Sequence, residues 1–105
     1  MAEAKSKVII KRPSEKYGHV ANISTSLTNL QKIVKGQAAT MKLMDGLEIL
    51  HNPYAKDLGE EFNCKISDME FYGTIAVVGK ENGAIADIPV STNVWKRIID
   101  FGDLL

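Results

Sequence analysis

QAATMKLMDGLEILH, residues 37–51, reads as two short apolar runs either side of Met44-Asp45-Gly46. Asp-Gly between such runs signals a β-hairpin, because the tight turn needs positive φ and these two residues tolerate it. QAATMKL (37–43) and LEILH (47–51) are its arms, with Thr40, Lys42, Glu48 and His51 alternating outward. A second hairpin follows the same logic. YGTIAVVG (72–79) reads as a buried strand, Lys80-Glu81-Asn82-Gly83 as the turn, and AIADI (84–88) as its partner.

Upstream lies the clearest helix, STSLTNLQKIVKG (24–36). Ser24, Thr25 or Ser26 can accept a bond from the free N–H groups at its start. Leu27, Leu30, Ile33 and Val34 make a narrow apolar stripe, and Gly36 is placed to stop the helix in a left-handed conformation. KVIIK (7–11) and HVANI (19–23) read as strands around the Tyr17-Gly18 turn. A last helix starts with Ser91 as N-cap, buries Val94, Ile98 and Phe101 flanked by Trp95 and Ile99, and ends at Gly102. Residues 52–70 show no clear period and read as a long loop. The expected fold is α+β, an antiparallel or mixed sheet of about six strands with two helices on one face. Its element order is β-β-α-β-β-loop-β-β-α. One domain of 105 residues is expected, with 1–6 a frayed start.

Composition narrows the function classes. Apolar residues are 45% and charged residues 25%, as in ordinary globular proteins. No run approaches the ~20 apolar residues of a membrane helix, and the start lacks the apolar core of a signal peptide. One cysteine, Cys64, allows no internal disulfide, so a cytoplasmic setting is expected, with no membrane partner. The net charge is zero, which argues against a nucleic-acid binder. The charges are nonetheless segregated: residues 1–42 carry a balance of +6 and residues 43–105 one of −6. Either the halves interleave and the field averages out, or the surface is dipolar and suits an anion or a second copy of the chain.

Catalytic and metal signatures are missing. His19, His51 and Cys64 lack ligand spacing, so no metal site and no cofactor are expected. There is no phosphate-binding glycine loop. Cys64 with His51, oriented by Asn52 or Asn63, is the sole Cys-His pairing, and Cys64 reads better as an incidental cysteine. Glu60-Glu61 and Asp68 with Glu70 read as a solvated loop face, and Lys7, Lys11, Arg12 and Lys16 as a solvated basic group or, alternatively, an anion contact. The richest set lies in and around the central loop: Asn52, Tyr54, Lys56, Asn63 and Tyr72, joined by Arg12. Amides, phenols and cations are what a planar, anionic small molecule needs for edge recognition, stacking and charge.

Several of these residues also carry a resemblance. Leu30, Gln31, Val34 and Gly36, then Asn52 and Asn63, then Asp68, Gly73 and Thr74 resemble the motifs of the DUF3846 domain family. That family's run is a helix ending in LQ-x-x-V-G-G, a hairpin, two asparagines and an Asp before a G-T strand. Lys35 departs from it by replacing the first glycine, Pro53-Tyr54-Ala55 stands where an acidic pair and a glycine are usual, and Lys65 is displaced from an Asn-Arg dipeptide. The resemblance implies a phage or mobile-element setting and no particular reaction. Together with the loop set it leads to an expected non-enzymatic protein, a homo-oligomeric sponge that captures a nucleotide-type signal of host antiviral defence in the host cytosol. The competing expectation is an inhibitor that binds a host enzyme through Asp57, Glu60, Glu61, Asp68 and Glu70 or through a strand edge.

Overall fold

Strand β7, Ile75–Glu81, explains the architecture, because its residues from Ile75 to Gly79 are all buried. Consecutive residues of a strand point to opposite faces, so a continuous buried run requires cover on both. The computed structural model, which describes residues 5–102, supplies it. β1 is Lys5–Lys11, β2 His19–Ser24, α1 Leu27–Val34, β3 Ala39–Met44, β4 Leu47–His51, β5 Phe62–Ile66 and β6 Met69–Tyr72. After β7 come β8, Ala84–Ala86, and α2, Thr92–Phe101. The main antiparallel sheet runs β2-β1-β7-β4-β3, with β8 also paired to β7.

Ala76 and Val78 of β7 join Val8, Leu50 and the helix α1 residues Leu30 and Val34 in one core. Ile75 and Val77 join Ile9, Leu47, Ile49, Ile66, Phe71 and the helix α2 residues Trp95 and Ile98 in the other. The two helices therefore lie on opposite faces, which corrects the one-face expectation. The α+β class stands, as do the two helices and both turn-marked hairpins.

The remaining differences have physical causes. Residues 62–70, expected as part of a loop, form the separate two-stranded sheet β5-β6 over the α2-side core together with Phe71 and Tyr72, the latter expected to open the next strand. The register shifts between Phe62 and Cys64, leaving Asn63 without a partner and buried, so the inward position that would advertise a strand is polar. Its turn is also disguised, since Ser67 rather than glycine or asparagine takes positive φ, 53°. His51 pairs with Ala39 on the Ile49 side of β4, packs edge-on to Phe71 and does not face outward. In α2, Phe101 is 64% exposed while Trp95 takes the buried place and donates from Nε1 to the Tyr17 carbonyl at 2.7 Å. Lys5 and Ser6 pair with Ser24 and Ile23 and so belong to β1, and the rest of the expected frayed start, 1–4, lies outside the described residues.

Helix α1 ends on Lys35, not Gly36, in the left-handed conformation (φ 58°, ψ 48°). Gly36 follows at φ 147°, where a Cβ would meet the Asn52 amide nitrogen at 2.7 Å. Lysine at a left-handed cap is strained by about 1 kcal/mol relative to glycine. Lys35→Gly is therefore expected to stabilise the fold by about 1 kcal/mol and to raise the Tm by roughly 4–8 °C, as read from urea and thermal unfolding.

Candidate functional site

Two buried asparagines organise the region read as the site. Asn52 ends β4 and is 5% exposed. Its Nδ2 donates to the Val34 and Lys35 carbonyls at 3.4 and 3.3 Å, which satisfies the C-terminal end of α1. Its Oδ1 accepts the Tyr54 N–H at 2.9 Å and so opens the turn through residues 52–59. Asn63 is 9% exposed, and its Nδ2 donates to the Lys11 and Gly73 carbonyls at 2.9 and 2.7 Å. Its Oδ1 accepts the Lys11 ammonium at 2.6 Å. Both amides are spent inside the chain, so they position other groups. No buried side-chain nitrogen or oxygen among the described residues lacks a partner.

The six expected site residues do not converge on one cavity. Asn52, Lys56 and Tyr72 line one cleft of about 360 Å³ with His51, Pro53, Met69, Glu70 and Phe71. Arg12 lines a second with Lys35, Glu60, Glu61 and Gly73, and Asn63 a third with Lys11, Ser14 and Cys64. Tyr54 is 53% exposed. Arg12 and Lys11 part because they are neighbours at the end of β1.

The first cleft has the most useful chemistry. Lys56 places its ammonium 5.6 Å from the centre of the Tyr72 ring, and Phe62 braces that ring edge-on at 5.5 Å. His51, missed as a site residue because it was read as an outward strand position, lines the same cleft. Burial holds its pKa below the ordinary imidazole value, so it is neutral at pH 7. The alternation of Ala39, Met41 and Ile49 across β3 and β4 was the signal that could have found it.

Lys11, read as a solvated cation, is 2% exposed. Cys64 is free, and burial pushes its thiol up to about 11, with the Lys11 charge only partly opposing this. The His51 ring, with which Cys64 would have had to pair as a nucleophile, packs edge-on to Phe71. Among the described residues, no group of three or more His, Cys, Asp or Glu could hold a metal ion, and no helix is long and apolar enough to cross a membrane.

The family described as Domain of unknown function (DUF3846) matches over residues 6–100. No curated protein and no solved structure matches. The chain therefore belongs to the DUF3846 family.

Two outcomes follow from this geometry. Asn63→Ala leaves the Lys11 ammonium and two carbonyls without their partner, and about 2–4 kcal/mol of stability is expected to be lost in urea unfolding. With a thiol pKa of about 11, only ~0.1% of Cys64 is thiolate at pH 8. Cys64 should then react with iodoacetamide far more slowly in the folded protein than in urea, a difference read by mass spectrometry.

Proposed function

We propose that this member of the DUF3846 family binds a small, ring-bearing anion of nucleotide type and holds it without converting it. The site is the cleft between the 52–59 turn and β6. The observation that carries the reading is the Lys56 ammonium standing 5.6 Å from the braced Tyr72 ring in a cleft of about 360 Å³. An aromatic face and a cation side by side suit a base or ribose next to a phosphate. The neutral His51 supplies a ring nitrogen for edge recognition. Asn52 sets one wall of this cleft, whereas Asn63 and Arg12 line separate clefts and Tyr54 stands exposed beside the turn.

Capture needs affinity and no activated nucleophile, and the suppressed Cys64 thiol fits that economy. The cleft is open, so a second copy of the chain closing over it would complete the burial a tight ligand requires. In cellular terms the reading is a phage-type sponge that removes a signalling nucleotide of host antiviral defence from the cytosol. Neither metal nor cofactor takes part in it.

Calorimetry against cyclic dinucleotides and ADP-ribose-type molecules tests this, with native mass spectrometry for the subunit count. One of them should bind, and Lys56→Ala and Tyr72→Ala should each weaken it about tenfold or more. Affinity should rise as the pH falls through the lowered pKa of His51, because the ring then gains a charge that attracts the anion. Absence of heat with every candidate at high protein concentration would sink the reading.

A second reading rests on the same segment. Tyr54, Leu58 and Phe62 are about half or more exposed among Asp57, Glu60 and Glu61, the mixture a protein-binding surface presents. An inhibitor of a host enzyme would be retained from host lysate at low salt, released at high salt, and unaffected by Lys56→Ala.

A further inference from the structure

Lys11 presents an unusual electrostatic problem. Its side chain is 2% exposed, and its ammonium makes one hydrogen bond, to the neutral Asn63 Oδ1 at 2.6 Å. A lysine ammonium carries three N–H donors, so two are left without an acceptor among the described residues. Among the described residues no carboxylate forms an ion pair with it. Glu15, whose charge is felt at Lys11, is turned to His19 Nδ1 at 2.8 Å and to the Arg12 guanidinium at 3.8 Å. A buried cation matched only by a neutral acceptor is costly unless an anion completes it.

The space for one is adjacent. Lys11, Ser14, Lys16, Asn63 and Cys64 line an open cleft of about 380 Å³, together with Pro13, Glu15 and Ile99. It shares no lining residue with the Lys56–Tyr72 cleft. Ser14 is exposed and brings a hydroxyl donor, and Lys16 stands at the rim with its charge shared with Asp100 at 3.8 Å.

We propose that this cleft is a second binding site, for a phosphoryl group, with the Lys11 ammonium as its anchor. A phosphoryl group spreads three non-bridging oxygens over a tetrahedral face, one for each of the two unmet Lys11 donors and the Ser14 hydroxyl, whereas a carboxylate's acceptors lie in one plane. Asn63 is the positioning residue, since its Oδ1 fixes the ammonium and its Nδ2 is held by two backbone carbonyls. Removing the anion leaves the fold intact, because Asn63 still satisfies one donor. The site therefore loads and empties without unfolding.

The test is a titration of the whole chain with inorganic phosphate, followed by calorimetry and by two-dimensional amide NMR. Saturable binding is expected, with a set of shifts gathered at Ser14, Lys16, Asn63 and Cys64. Acetate should bind more weakly. Lys11→Met, which keeps the chain length and deletes the charge, should weaken phosphate about tenfold or more, while Lys32→Met, outside both clefts, leaves it unchanged. Should Lys11→Met fail to fold, the wild-type shift map decides alone. Non-saturating heats, equal affinity in a folded Lys11→Met, or shifts centred on Tyr72 would each overturn the site without touching the nucleotide reading.

Discussion

One side chain, the Asn63 amide, joins β5 at once to the end of β1 and to the junction of β6 and β7. Its nitrogen bridges the Lys11 carbonyl at the end of β1 and the Gly73 carbonyl between β6 and β7, and its oxygen receives the Lys11 ammonium. The bulge in β5 is what aims it there, since a regular register would have paired Asn63 across to β6. In a dry site such a saturated amide is worth more than any one of its bonds, because losing it strands several groups at once. The β5-β6 sheet thus stays seated on the α2-side core, and two of the clefts take their walls from it.

Asn52 does the same work at the end of α1. It closes the free carbonyls of α1 and starts the turn that carries Lys56. Gly36 lets that amide approach, since any Cβ there would collide with it. The residues that carry the family resemblance fall largely on these two junctions: Val34 and Gly36 beside Asn52, and Gly73 beside Asn63. What the DUF3846 motifs describe in this chain is therefore how the sheet, the helix and the small hairpin are fastened. The groups with spare bonding capacity, Lys56, Tyr72, His51 and Lys11, lie next to the motif positions.

Local signals made much of the fold legible. Asp45-Gly46 and Asn82-Gly83 mark real hairpins, and the second has both residues at positive φ as its chemistry demands. The Ser26 cap and the Leu30–Val34 stripe place α1. The β5-β6 hairpin was illegible because its inward bulge residue is polar and its turn residue is a serine. Lys35 hid the true end of α1 by occupying a position that prefers glycine. The candidate site was only half legible. Residue type pointed to Lys56 and Tyr72, but sequence distance says nothing about which cleft a side chain enters. Arg12 and Lys11, adjacent in the chain, line different ones. Lys11 itself was hidden by the ordinary expectation that lysine is solvated, which fails when a strand parity shared with Ile9 turns it inward.

The account depends on Asn63 and Lys11 acting as one unit that seats the β5-β6 hairpin. A double-mutant cycle of Lys11→Met and Asn63→Leu, followed by urea unfolding, measures that directly. A coupling of about 1–3 kcal/mol, with the double variant less damaged than the sum of the two single ones, is the predicted result. Additive effects within about 0.3 kcal/mol would contradict it, since two side chains that ignore each other cannot hold the hairpin in place.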